Sequence, residues 1–294
     1  MEIAGLAAAA YCVANSSFVP TVAKLTTAYA SGLTIALFTS AFAGVVSVAL
    51  LAARGELALL YPRRDLGTLV AIGALGTGLA FLLYYSGAKR VSAIETALCV
   101  QTEPIYSLIG TYLVLGYPAS KRRIFAVTAI AAGIALAIGT APVSGWLGLG
   151  FLLATPLAWQ SSHWVALKRL REFNPIQLSA ARYVYGTLVL LPIWFAVAGP
   201  ETFPARAQLA GFLPGVALQG MVLSFGGTLA WYAAVKRLDL TRATAIVVPS
   251  APIVSLFVSY LVLGEQPTLR QVIGFGMTAA GVLTFVLAPS VTRE

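Results

Sequence analysis

Charge is scarce in this 294-residue chain: Asp, Glu, Lys and Arg together make up 10% of it, against roughly 25% in an ordinary soluble domain. A soluble fold needs charged residues to cover its outside, so a cytosolic enzyme and a disordered polyion are both excluded. Cysteine is nearly absent. Cys12 and Cys99 both lie in apolar stretches, which removes a disulfide scaffold and a Cys-rich metal centre. Histidine occurs once, at His163, so a His-rich metal site is out as well. No nucleotide loop and no catalytic triad can be read, which excludes pumping by ATP hydrolysis within the chain, and no cofactor is expected. The start, Met1-Glu2-Ile3, lacks the basic n-region of a signal peptide, so the first apolar run is expected to stay in the mature protein.

Apolar residues are what the chain has instead: 59% of it, with a mean hydropathy of +0.87. A helix needs about 20 apolar residues to cross the bilayer core. Ten runs meet that need: 3–23, 32–53, 66–88, 92–115, 124–141, 146–167, 178–198, 209–235, 242–263 and 271–288. The alternating ten-residue segments of a membrane barrel are missing, so the expected class is all-α and polytopic. The net charge of +9 sits in short clusters between the runs, as in membrane loops and unlike a nucleic-acid-binding face. With the N-terminus in the cytoplasm, thirteen Lys/Arg residues fall inside and five outside. The positive-inside rule then places both termini in the cytoplasm, in a cell inner membrane or plasma membrane.

The chain also repeats itself. At a shift of 148, Pro104-Ile105 meets Pro252-Ile253, Ser107-Leu108 meets Ser255-Leu256, and Tyr112 to Gly116 meets Tyr260 to Gly264. Gly133 meets Gly281 at the same shift, and Tyr85 meets Tyr232 at one residue less. The expected architecture is therefore ten transmembrane helices as two inverted five-helix repeats, 1–143 and 144–294. Five is odd, so the second half enters the membrane from the other side. Two similar halves of opposite orientation can exchange conformations, which is the design of many secondary transporters.

The stretch Trp231 to Leu238, then Pro249 to Pro252, then Tyr260 to Glu265, resembles the ninth-helix region of drug/metabolite transporters of the EamA type. Gln271 to Gly274 and Ala279 to Val282 resemble that family's tenth helix, and Thr102-Glu103-Pro104 its fourth-helix motif. The resemblance spans essentially the whole chain. It implies ten helices, cytoplasmic termini, and export or exchange of small metabolites such as amino acids or aromatic compounds. Two residues depart from the pattern. Tyr117 replaces an acidic residue that often follows the fourth helix, and Asn15 stands near a frequent tryptophan of the first.

Several residues are candidates for the transport path. Glu103 lies in mid-run, where a carboxylate costs roughly 2.5–3.5 kcal/mol on insertion scales and so faces the bundle interior or a wet cavity. It can couple protons or hold a substrate ammonium. The alternative is a neutral or Arg182-paired group that braces a kink. Pro104 and Pro252 remove backbone donors at matching places, as a pair of hinges or as static kinks. The sixth run carries Trp159, Gln160, Ser161, Ser162, His163 and Trp164, able to stack on and hydrogen-bond a flat solute, or to anchor at the lipid interface. Tyr84, Tyr85, Trp231 and Tyr232 occupy matching places and have the same two readings. Gln101, Asn15, Ser17, Ser250 and Ser255 are mid-span polar groups that line the path or bond between helices. Arg182 is expected to snorkel to the cytoplasmic surface, or else to hold a substrate carboxylate. Glu95 reads as a snorkelling or helix-start residue, not a site residue. Gly274 and Thr278 form a small-xxx-small pair, weakly suggestive of dimerisation.

The expected function is secondary transport of small organic metabolites by alternating access. The expected partners are a small-molecule substrate, the lipid bilayer and a proton as candidate coupling ion, for a monomer or homodimer without nucleic acid. The alternatives are an integral-membrane enzyme acting on lipid and a channel-like or sensory protein.

Overall fold

The computed structural model describes residues 2–116, 118–139, 145–170, 172–238 and 240–288. Tyr117, Arg171, Arg293 and the boundary between 143 and 144 lie outside the described residues.

Among the described residues the chain forms ten long helices and no strand. They are α1 (Glu2–Thr26), α2 (Gly32–Ala53), α3 (Leu66–Ala88), α4 (93–115), α5 (Lys121–Ile138), α6 (Trp146–Arg169), α7 (Pro175–Val197), α8 (Arg206–Leu238), α9 (Leu240–Leu263) and α10 (Leu269–Val286). Seven of them are long and apolar enough by themselves to cross a bilayer. The other three are α4, which is interrupted, α5, which opens on Lys121-Arg122-Arg123, and α6, which carries the polar and aromatic cluster.

Helix starts are fixed by local polar chemistry that hydropathy does not register. Asn174 Oδ1 accepts from Gln177 N at 2.8 Å with Pro175 in the first turn, so α7 begins three residues ahead of its apolar run. Ser120 accepts from Arg123 N, which extends α5 back through the basic cluster. Thr268 and Gln271 form a reciprocal capping box that starts α10. Ser92 and Glu95 form another at the start of α4, the second of the two readings of Glu95.

Two helices depart from regular α geometry at corresponding places. A π-helical stretch occupies Ala74–Leu79 of α3 and Leu218–Gly226 of α8. Such widened turns rotate the faces beyond them and recur at functional sites. Helix α4 is built as Ala93–Cys99, a 3-10 turn at Val100–Thr102, and Glu103–Leu115. The interruption precedes Pro104, whose missing N–H costs least in a first helical turn. Pro252 behaves differently: α9 continues through both Pro249 and Pro252.

Contacts between helices are reciprocal. Helix α1 packs on α8 and α9, α6 on α3 and α4, α2 on α7, and α5 on α10. Exchanging α1–α5 for α6–α10 maps this set onto itself. The α5–α10 seam brings two backbones into close contact. A Cβ at Gly133 would fall 2.7 Å from Gly274 O, and one at Gly274 would fall 2.5 Å from Gly133 O. Thr278 meets Gly133 in the same seam. The Gly274/Thr278 spacing thus serves a contact inside the chain. Side chains such as Leu261, Val197 and Leu113 point outward, 71–76% exposed, as lipid-facing residues do.

Candidate functional site

The polar residues of the bundle interior converge on a central chamber with three adjoining lobes. The first, about 510 Å³, lies between α1, α4, α6, α8, α9 and α10 and is walled by Glu103, Pro104, Trp159, His163 and Trp231. The second, about 360 Å³, brings α3 and α7 into the wall through Tyr84, Tyr85 and Arg182. The third, about 370 Å³, is walled by Asn15, His163, Arg182, Trp231 and Tyr232. Glu103, Gln101 and Trp159 face both the first and second lobes. Arg182, Ser224 and Thr228 face both the second and third.

Glu103 is held in place from α6: Gln160 Nε2 donates to its Oε1 at 2.7 Å. The break in α4 just before it lets a carboxylate at this depth turn into the chamber. Arg182 lies across the second lobe. Its Nη2 donates to Gly76 O at 2.8 Å, and its buried Nε has no partner. That geometry corrects the expectation of a snorkelling arginine, because Gly76 leaves room in α3 for the guanidinium to lie inside. The Glu103 carboxyl and the Arg182 guanidinium do not form an ion pair; among the described residues the ion pair is Arg242–Glu2.

Aromatic rings line the chamber between these groups. Tyr84 lies 5.2 Å from Tyr85 and 6.3 Å from Trp159, centroid to centroid. Both tyrosines are buried, 3% and 1% exposed, so they are not interfacial anchors. The Tyr84 hydroxyl is buried without a partner. A carboxyl group, a guanidinium and an aromatic wall around one hollow can hold a small zwitterion with an apolar or flat body.

Of the residues singled out by sequence, Glu103, Gln101, Trp159, Gln160, His163, Tyr84, Tyr85, Trp231, Tyr232, Pro104 and Pro252 all line one lobe or another. Trp164 does not. Its ring packs on Gly110 of α4, where an added Cβ would fall 1.7 Å from the indole, and it faces a separate groove. Asn15 Nδ2 donates to Leu223 O of α8 at 2.7 Å, and Ser17 Oγ lies 2.6 Å from Val13 O of its own helix and 3.0 Å from Ala251 O of α9. The residue between them, Ser16, reaches all three lobes and was not singled out. Its signal in the sequence was only its place between two polar neighbours, since successive helix positions face about 100° apart and the order alone does not say which faces the hollow. Ser224 and Thr228 were missed too, as a π-helical stretch in α8 sets which way they point.

The chamber is unequally closed at its two ends. At the end where α4 begins, Glu265 in the α9–α10 connection accepts from Ala93 N at 2.8 Å and Ile94 N at 3.0 Å. Beside it, Lys24 Nζ donates to Ala88 O at 3.3 Å and Val91 O at 2.5 Å, and Lys89 Nζ to Ala30 O at 2.9 Å. A carboxylate on the first-turn amides of a helix is a favoured pairing of charge and dipole. The first lobe instead extends toward the opposite end, as far as Thr244 of α9 and Val286 of α10.

Comparison with known proteins agrees with this architecture. The model of the EamA-like transporter family matches residues 3–139 and again 146–287. A protein of Archaeoglobus fulgidus named as an uncharacterized transporter is 22% identical over 223 residues, covering 76% of this chain and 78% of its own. A probable terminal-alkyne amino-acid exporter of Streptantibioticus cattleyicolor is 29% identical over 246 residues, covering 81% and 80%. One solved crystal structure superposes with a TM-score of 0.65 at 17% identity, covering 97% of this chain and 96% of that one, which shows a shared fold. The chain belongs to the EamA-like transporter family and is a multi-pass membrane transporter.

Proposed function

We propose that this transporter exports or exchanges small zwitterionic metabolites, amino acids with apolar or aromatic side chains foremost, by alternating access. The observation that carries the reading is the placement of Glu103 and Arg182 on the wall of one lobe, with Trp159 and Tyr84 beside them. Glu103 takes the substrate ammonium and Arg182 its carboxylate, while the rings cover the side chain. The exporter function named for the Streptantibioticus relative supports the same substrate class.

The symmetry-related parts in this reading are the halves 1–143 and 144–294, which exchange α1 and α6 in packing, α1 with α8 and α9 and α6 with α3 and α4, while Pro104 and Pro252 stand at matching sequence positions. Both termini are cytoplasmic, on the lysine and arginine distribution. The state described is then inward-facing: Glu265 and Lys24 close the outer end, and the first lobe leads toward the cytoplasm. Proton exchange at Glu103 is the candidate coupling step, since a carboxyl that releases its ammonium partner can take up a proton in its place.

The test is counterflow in proteoliposomes of the purified protein, preloaded with unlabelled amino acids. Saturable, accelerated uptake of a labelled aromatic or apolar amino acid is expected. Uptake that is unaffected by preloading would overturn the carrier reading, and counterflow of other solute classes alone would overturn the substrate.

A further inference from the structure

A groove of about 530 Å³ lies apart from the chamber, between the start of α3 and the end of α6. Its mouth is basic and its floor apolar. Lys168 and Arg169, in the last turn of α6, stand level with Thr68 in the first turn of α3. Both basic side chains are exposed, and neither forms an ion pair among the described residues. Away from that mouth the wall consists of Ala71, Leu75, Val165 and Trp164 and ends at Ser161. From Lys168 to Ser161 is seven helical residues, about 10 Å along the axis. The groove therefore runs from the headgroup level into the hydrocarbon layer.

Trp164 gives the groove a fixed wall. Its ring is wedged against Gly110 of α4, so the indole cannot swing away from α6 without moving α4. Its N–H makes no hydrogen bond within the described residues, in a ring that is half-buried. A buried or half-buried indole N–H usually finds an acceptor, and tryptophan is enriched where an apolar body meets a polar layer.

We propose that this groove is a binding site for one anionic phospholipid. The phosphate sits between Lys168 and Arg169, and an acyl chain lies along Leu75, Val165 and Trp164. Basic clefts between transmembrane helices at a cytoplasmic surface recognise anionic headgroups by charge. A soluble anion would use the two cations and leave the apolar floor and the indole uncovered. Assignment to the cytoplasmic leaflet rests on the orientation proposed above, while binding itself does not.

The test is native mass spectrometry of the full chain in detergent, titrated in parallel with phosphatidylglycerol and phosphatidylcholine of identical acyl chains. Wild type is expected to retain one phosphatidylglycerol with on the order of tenfold preference over phosphatidylcholine. The exposed double variant Lys168→Gln/Arg169→Gln is expected to lose that preference, and Lys121→Gln/Arg122→Gln to keep it. Fluorescence supplies a second reading: brominated-chain phosphatidylglycerol should quench wild type more than Trp164→Phe. Equal retention of both lipids, an unchanged double variant, or displacement of the lipid by inorganic phosphate would overturn the proposal.

Discussion

Gln160 on α6 donates a 2.7 Å hydrogen bond to the carboxylate of Glu103 on α4. The bond ties two helices of different halves together at the wall of the chamber, beside the 3-10 interruption of α4. It fixes one carboxylate oxygen and leaves the second for a ligand. Replacing Glu103 by Gln keeps a side chain of the same shape that can still bond Gln160, so the fold should persist. Loss of a charged hydrogen bond is worth about 1.5–3 kcal/mol, or roughly 10- to 100-fold in apparent substrate affinity. Exchange by wild type is expected to weaken as pH falls, because protonation removes the charge that holds an ammonium, whereas Glu103→Gln should be pH-flat. Counterflow at two pH values checks both statements.

In the proposed binding mode Arg182 answers for the other end of the substrate. Its Nη2 is engaged by Gly76 O, and its Nε is unpartnered. Arg182→Gln is expected to raise the KM for amino acids while leaving competition by the corresponding amines, which lack a carboxylate, nearly unchanged. Equal weakening of both classes would show that Arg182 shapes the chamber without touching the carboxylate. Inhibition curves with matched amino-acid and amine pairs make the comparison.

Glu265 caps the first amides of α4 from the connection between α9 and α10. In the orientation proposed above, Glu265→Gln removes the charge and is expected to cost the closed outer end about 1 kcal/mol, a several-fold shift toward the outward-open state. A cysteine at Ala97, which lines the second lobe on that side, reports the shift in a background lacking Cys12 and Cys99. Its labelling by a membrane-impermeant thiol reagent from outside should quicken several-fold in the Glu265→Gln protein. An unchanged labelling rate would mean that the outer end is closed by other contacts.

The α5–α10 seam leaves no room for a side chain at either glycine. Gly133→Val and Gly274→Val should each destabilise the protein, since forcing atoms into a packed contact costs roughly 1–3 kcal/mol or more. Gly276 faces open space, so Gly276→Ala is expected to be silent. Thermal unfolding in detergent, followed by tryptophan fluorescence, separates the three.

The ten helices were legible in the sequence because the bilayer demands long apolar runs, and the repeat was legible because identical residues recur at one shift, as Pro104-Ile105 and Pro252-Ile253 do. Which face of each helix points inward was much less so. Lipid and protein interior are both apolar, so periodicity in a membrane helix does not distinguish them. Six polar or aromatic residues in a row surround α6, and the sequence did not say that Trp159 and His163 face the chamber while Trp164 faces a lateral groove. Arg182 read as a surface residue because it stands near a helix start, and only its neighbour Gly76, far away in sequence, draws it inward. The cap by Glu265 joins residues about 170 positions apart, beyond the reach of any local rule.

The central claim is that Glu103 and Arg182 hold opposite ends of one zwitterionic solute inside a carrier. Counterflow of labelled aromatic amino acids into preloaded proteoliposomes tests it most directly, run on wild type, Glu103→Gln and Arg182→Gln side by side. The expected result is saturable exchange by wild type, with each variant impaired by at least roughly tenfold, as loss of a charged hydrogen bond implies. Exchange of amino acids at wild-type rate and affinity by both variants would contradict it.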